Sequence, residues 1–218
     1  MEQKEFEESI VRITDTMKVS APVIQDRIVE EDTSETQPYV VNATVVSIIV
    51  EPEEKSLQVM QAFFSEASNI AMMHENCKEV ICMNDRMTLI YSTAYKEELN
   101  AALDDAARIR SLAMIVSKIG RQHGLNPITV NIGMDFGVVE MYKMKGNGKG
   151  MSRYAWRGVA IKNAIKNAMD AKDELIISRT VWNNLTENSQ KLFERQSVVT
   201  ENYRGRIINI MMNNWLTK

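Results

Sequence analysis

Cysteine, histidine and long apolar runs are what this 218-residue chain has least of. Cys77 and Cys82 have no further cysteine to pair with, and together with His74 and His123 they do not make the ligand set of a zinc site. Reduced thiols in a cytoplasmic protein are the expectation. No apolar run approaches the ~18 residues that a membrane-spanning helix needs, and the start MEQKEFEESIVRI is acidic and amphipathic rather than a signal peptide. The net charge of -3 gives no global reason to expect a nucleic-acid or membrane partner. Internal repeats are absent. What remains is an ordinary globular composition, 44% hydrophobic and 25% charged. It suffices for one domain with a buried core, plus an appendage.

The appendage lies at the start. Phe6, Ile10, Ile13 and Met17 follow one another at spacings of four, three and four, which predicts a helix with one apolar stripe over residues 4–19. The acidic, polar segment VEEDTSETQP (29–38) reads as a linker. The expected organisation is an N-terminal helix and linker over 1–38 and one domain over 39–218.

Within that domain, VVNATVVSIIV (40–50) is a β-branched run expected to form a buried central strand. Residues 52–73 switch to a period near 3.6, with Leu57, Met60, Phe64, Ala67 and Ala71 on one stripe and Pro52 opening the helix. Two short apolar runs flanking Asn84-Asp85 predict a β-hairpin. Residues 95–120 predict a long helix carrying Leu99, Leu103, Ala106, Ile109, Ala113, Val116 and Ile119. ITVNIGMDFGVVEMY (128–142) reads as strand, tight turn at Gly133–Gly137, strand. A short strand ELIIS, a helix over roughly 179–194 and a closing strand pair ending in RGRIINIMMNNWL complete the chain. The order predicts an α+β fold, with one antiparallel-rich sheet covered by helices.

A glycine-rich loop, GNGKGMSRYAWRGVAIKNAIKNA, runs into a helix studded with lysines. It is not a P-loop, because Lys149 is followed by glycine and no Ser or Thr follows a Gly-Lys pair. A dinucleotide fingerprint fails as well. Yet Lys143, Lys145, Lys149, Arg153, Arg157, Lys162 and Lys166 occur between Met141 and Met169 without one acidic residue. Such a local positive field suits phosphate, and a helix N-terminus near Gly158 would add its dipole. A solvated helix face and a flexible glycine connection remain the plain alternatives.

In order along the chain, ATVVSIIV, NDRMTLIY, NIGMDFGVVEMYKMKGNGKG, YAWRGVAIKNAIKNA and RIINIMMNNWL resemble the class III nucleotidyl cyclase catalytic domain over roughly residues 39–216. The nearest likeness is to small bacterial stand-alone cyclases such as the pyrimidine cyclases of anti-phage (Pycsar) systems. The resemblance implies a ferredoxin-like βαββαβ sheet covered by helices. It also implies a wreath-like head-to-tail dimer with its sites between chains. In that family the 3′-hydroxyl of a nucleoside triphosphate attacks its own α-phosphate, and two divalent metals, held by two aspartates, assist.

Carried over by position, the first-strand aspartate falls on Ser47, a poor ligand for hard Mg²⁺ or Mn²⁺, and the hairpin aspartate falls on Asp85. The ribose-orienting asparagine falls on Lys162 and the transition-state arginine on Lys166, which leaves these two lysines as the catalytic candidates. Base-reading positions fall on Ile81 and Ala155. Lys145, Lys149, Trp156, Lys162 and Lys166 are the nucleotide-binding candidates. Glu51 lies on the same strand face, roughly 13 Å beyond Ser47, and is not expected to substitute for it.

Two readings follow. One is a catalytically degenerate cyclase-homology protein that binds nucleotide, phosphate or a partner, with Mg or Mn held weakly if at all, as a homodimer or beside a cyclase-like chain. The other is an active cyclase with an altered constellation, in which selection for a pyrimidine would explain the missing adenine-reading residues.

Overall fold

The computed structural model describes residues 3–17, 21–28, 37–52, 56–144, 154–196 and 201–216. The chain opens with helix α1 (Gln3–Met17), on which Ile10, Ile13 and Met17 are exposed, and strand β1 (Val23–Gln25). The remaining elements are β2 (Tyr39–Pro52), α2 (Leu57–Met72), β3 (Cys77–Met83), β4 (Arg86–Ser92), α3 (Lys96–Gln122), β5 (Ile128–Lys143), β6 (Tyr154–Gly158), α4 (Val159–Asp170), β7 (Leu175–Ile177), α5 (Arg179–Asn184), α6 (Glu187–Gln190), β8 (Glu194–Arg195), β9 (Tyr203–Gly205) and α7 (Ile210–Leu216).

Among the described residues the strands form one sheet in the order β3-β4-β2-β5-β7-β9-β8, with β1 on β2 and β6 on β5. The four strands β3-β4-β2-β5 pair antiparallel throughout. With α2 and α3 as their connections they make the ferredoxin-like βαββαβ core. The first of them, β2, lies at its centre and is covered on both faces, which is why its sequence is a continuous β-branched run rather than an alternating one.

Two cores follow. Val46, Ile48 and Val50 of β2 meet Met87 and Leu89 of β4, Ile132 and Met134 of β5, and Val59, Phe63, Leu99 and Ile109 of α2 and α3. The opposite face carries Ala43 and Val45, which pack with Ile90, Val139, Ala160 and Ala164 under α4.

Four expectations need correction. The stretch 128–142 is not a strand-turn-strand but lies within one 16-residue strand. Gly133 serves close approach instead, whereas a Cβ on Gly137 would meet only the Ala160 Cβ at an ordinary 3.8 Å. A Cβ on Gly133 would lie 2.1 Å from the carbonyl oxygen of Ala164 and 2.2 Å from the nitrogen of Ala168. The second helix starts at Leu57 rather than Pro52, because β2 runs on until Pro52 pairs with Ile128. Its buried stripe is Val59, Phe63, Ala67 and Ala71, with Leu57 exposed. The helix expected over 179–194 is two short helices, each with its own cap. Ser178 Oγ accepts from the Val181 N–H at 3.3 Å, and Thr186 Oγ1 accepts from the Ser189 N–H at 3.3 Å. The closing apolar stretch is helix α7 rather than a strand. Asn209 Oδ1 accepts from the Met212 N–H at 3.2 Å and caps it.

Candidate functional site

The site grows from the end of β2. The two-residue turn between β3 and β4 is Asn84-Asp85, and Asn84 takes φ 55°, the left-handed region that asparagine tolerates. The Val50 N–H donates to the Asp85 carbonyl at 2.8 Å, which seats the hairpin tip against the end of β2.

Residues directly opposite in antiparallel strands share a face. On the α4 side, Ile49 therefore stands between Arg86 and Asn131, Ser47 between Thr88 and Gly133, and Val45 between Ile90 and Asp135. Ser47 is fully buried, and its Oγ has no hydrogen-bond partner among the described residues. Asp85 is exposed at the tip. Ser47 pairs with Thr88, three residues beyond Asp85, whereas Val50 and Glu51 are the β2 residues level with the tip. Val50 points into the α2/α3 core. Glu51, at the strand end, has Oε1 accepting from Asn131 Nδ2 at 2.7 Å, and Asn131 Oδ1 accepts from the Asp173 N–H at 2.8 Å.

Small residues close α4 onto the sheet. Ala160, Ala164 and Ala168 are buried, and the alanine spacing of four puts them on one face. Lys162 and Lys166 lie two residues either side of Ala164, roughly 200° around the helix. Both are exposed and project away from the chain's own sheet. Gly158 precedes α4 at φ 156°, and a Cβ there would sit 2.4 Å from the Val138 carbonyl oxygen. Trp156 is part-buried on β6. Its Nε1 donates to Glu79 Oε2 at 3.1 Å, and its ring meets Tyr154 edge-on at 6.3 Å. Lys145 and Lys149 lie outside the described residues.

Two buried acids were not foreseen. Asp135 accepts from Ser178 Oγ and, at 2.8 Å, from Asn163 Nδ2. Burial pushes its carboxyl up, and those two donors oppose the shift. Its position two residues after Gly133, on the α4 face, was the available signal. Asp105, on α3, is fully buried, with His74 Nε2 3.1 Å from Oδ1 and the Tyr91 hydroxyl donating to Oδ2 at 3.2 Å. Burial raises its carboxyl to about 6, with His74 as the main opposing influence. Its place between apolar positions of α3 gave no cue, since it breaks the stripe that marks that face.

Several known proteins are similar to this chain, although no protein-family model matches the sequence. A uridylate cyclase of Treponema porcinum is 22% identical over 168 residues, which is 74% of this chain. The chain spans 59% of the length of that curated relative. Among solved structures, an adenylyl cyclase of Pseudomonas aeruginosa superposes with a TM-score of 0.62 at 14% identity, covering 77% of this chain and 93% of that one. A class III adenylyl cyclase-like ATP-binding protein from the same organism gives 0.68 at 13% identity, covering 96% of this chain and 49% of that one. The chain has the class III nucleotidyl cyclase fold.

The cyclase fold sharpens the question of metal. The described residues contain no group of three or more His, Cys, Asp or Glu side chains able to hold an ion. Ser47 is sealed under α4 and offers a hydroxyl rather than a carboxylate. Among the described residues, the carboxylates that share the strand end and hairpin tip are Glu51 and Asp85, and Glu51 is already engaged by Asn131. These residues do not fit a two-metal centre of the cyclase type, which needs carboxylates that bridge both ions. Among the described residues, no helix is long and apolar enough to cross a membrane.

Proposed function

We propose that this cyclase-fold chain is a catalytically degenerate, cytoplasmic nucleotide-binding protein that holds a nucleoside triphosphate in a cleft between two cyclase-like chains. In this reading residues 1–38 are the N-terminal helix and linker segment, from which β1 (Val23–Gln25) joins the sheet beside β2, and residues 39–218 are the cyclase-like domain. The pairing is with a second copy or with a related chain, in a bacterial signalling or anti-phage setting.

The observation that carries the reading is Ser47. It occupies the strand position to which the sequence resemblance assigns the first metal aspartate, and it is buried without a polar partner among the described residues. A hydroxyl in that position cannot bridge two metal ions, so the reaction loses the charge stabilisation that such ions supply. The exposed Lys162 and Lys166, which turn away from their own sheet, suit phosphate contacts toward the Asp85 end of a partner chain. Two similar proteins support the choice of a nucleotide as ligand, one named a uridylate cyclase and the other a class III adenylyl cyclase-like ATP-binding protein.

A second reading, an active cyclase, draws on one observation. The Val50–Asp85 contact brings a strand-end carboxylate, Glu51, and a hairpin carboxylate, Asp85, to the same end of the sheet. That pair would hold a single divalent ion.

The test is incubation of the purified protein with each of the four ribonucleoside triphosphates under Mg²⁺ and under Mn²⁺, with mass spectrometry for cyclic product and thermal-shift measurement of binding. Binding without product is expected. Cyclic product that disappears in Glu51→Gln would overturn the degenerate reading in favour of the second.

A further inference from the structure

Arg86 stands where neither reading put a functional residue. It follows the hairpin Asp85 and begins β4. It pairs across the sheet with Ile49 of β2 and with Met83 of β3, so its side chain leaves the sheet on the α4 side, one rung from Ser47 and Thr88. The residue is part-buried, its Nε is fully buried, and that nitrogen has no hydrogen-bond partner among the described residues.

An arginine normally answers this situation with a carboxylate, because its guanidinium is always charged and presents five donors. Among the described residues two carboxylates, Glu51 and Asp85, share this end of the sheet, yet neither serves. Glu51 is engaged by Asn131 at 2.7 Å, and Asp85 is turned out at the exposed tip. No ion pair joins Arg86 to either of them among the described residues. The buried Nε–H left in this state carries a desolvation cost that an anionic acceptor would offset, while the terminal nitrogens are not among the buried unpartnered atoms. Planar forks of this kind match the paired oxygens of phosphate.

We infer that Arg86 is a phosphate-contacting residue of the candidate nucleotide site, a fixed positive charge that holds the triphosphate without a divalent ion. The inference rests on the nucleotide-binding reading above and adds to it both a residue and a property. A metal ion neutralises phosphate charge only when carboxylates hold it in place. An arginine rooted in β4 needs no such holders, so a site that has lost its metal ligands keeps its affinity for polyphosphate. The ligand class is a nucleoside triphosphate recognised through its phosphates, and base-free tripolyphosphate should compete for the same contact.

The experiment is a thermal-shift and calorimetric titration of the full chain with ATP, UTP and tripolyphosphate, each in excess Mg²⁺ and in EDTA. Wild type, Arg86→Gln and Arg86→Lys are compared. Wild type is expected to bind in EDTA within a few-fold of its affinity in Mg²⁺. Arg86→Gln should bind about tenfold or more weakly, the loss of a charge-assisted pair. Arg86→Lys should fall between them, since lysine keeps the charge and loses the fork. Unliganded melting temperatures report folding. Arg86→Gln removes an unpartnered buried donor and should melt at or above the wild-type temperature, so a loss of binding in it is not a loss of fold.

Binding that vanishes in EDTA would overturn the inference, as would equal affinity in Arg86→Gln, and in both cases the nucleotide-binding reading would survive. Failure of the wild type to bind any of the three ligands in either condition would overturn that reading and the inference with it.

Discussion

The two faces of the central sheet are closed in different ways. On the α2/α3 face, large side chains interdigitate, with Ile48, Met87, Leu89, Ile132 and Met134 against Phe63, Leu99 and Ile109. Their burial is the main source of stability on that side, at about 25 cal/mol per Å² of apolar surface removed from water. On the α4 face, closure comes from the absence of side chains. Gly133 and the alanines of α4 let backbone meet backbone, and polar residues such as Ser47 and Asp135 are shut in beneath. The first face tolerates changes in shape at a graded cost. The second is an all-or-none fit, and the candidate site is built along its open margin at Arg86, Glu51 and Asp85.

The sharpest way to break this comparison is Gly133→Val. The new side chain would begin within van der Waals contact of main-chain atoms in α4, which cannot rotate aside. A loss of more than about 4 kcal/mol is expected, the range reserved for severe overpacking or strain. Gly137→Ala is the control. Its Cβ would lie an ordinary 3.8 Å from the Ala160 Cβ, so a change within about 1 kcal/mol is expected. Urea denaturation of both variants checks the pair, and equal tolerance at the two glycines would mean that α4 is not seated as described.

Ser47→Asp comes next. It installs a carboxylate at the position that the family resemblance assigns to a metal ligand. Because that position is buried under α4, the charge arrives unpaired and desolvated. A loss of roughly 2–4 kcal/mol and no gain of cyclase activity are expected. Appearance of Mn²⁺-dependent product in Ser47→Asp would show that the rung opens to the cleft after all.

What was legible in the sequence follows the same division. The long α3 was readable because burial on the α2/α3 side writes a helical period into its side chains, the β-branched run of β2 because burial on both faces makes it continuously apolar, and the hairpin because Asn84-Asp85 suits a tight turn. The βαββαβ order was readable through these elements. The α4 side writes in glycine, whose meaning depends on what passes over it. Gly133 and Gly137 look the same whether they permit a turn or a close approach, and the turn was the wrong reading. Asn209 capping α7 was hidden in an apolar run that suits strand or helix equally. For the candidate site, residue types were visible but their levels along the strand were not. Only the register brings Asp85 opposite Val50 rather than Ser47, and only the register puts Arg86 on the α4 side.

A third test concerns the charge shut into the larger core. The Asp105 carboxyl is raised from 3.8 to about 6, chiefly by burial. A carboxyl that titrates higher when folded holds its proton better in the folded state. It therefore favours folding at acid pH, and that contribution is lost as pH rises from about 4 through about 6. Asp105→Asn cannot titrate, and it keeps an acceptor for the Tyr91 hydroxyl. The stability of wild type relative to Asp105→Asn should fall across that window by an amount on the order of 2 kcal/mol. Urea midpoints of the two proteins from pH 4 to pH 7 read it directly, and a constant difference would mean that the Asp105 carboxyl does not titrate in that window.

The smallest effect expected is also the most specific. Ser47 Oγ is buried with no partner among the described residues, so in the folded protein it has given up hydrogen bonds to water without replacing them there. Removing such a group relieves its desolvation cost, which for a hydroxyl is about 1 kcal/mol, less the small loss of packing where the oxygen stood. Ser47→Ala should therefore be neutral or stabilising by up to about 1 kcal/mol, and triphosphate affinity should not change. This outcome separates two roles that a serine could have in the same rung. A serine that helps to hold a metal ion or a phosphate would lose affinity on truncation. A serine that only fills the surface under α4 would not. If Ser47→Ala destabilises the fold and weakens triphosphate binding together, the hydroxyl has a partner in the liganded dimer, and the α4 face is part of the site rather than its floor.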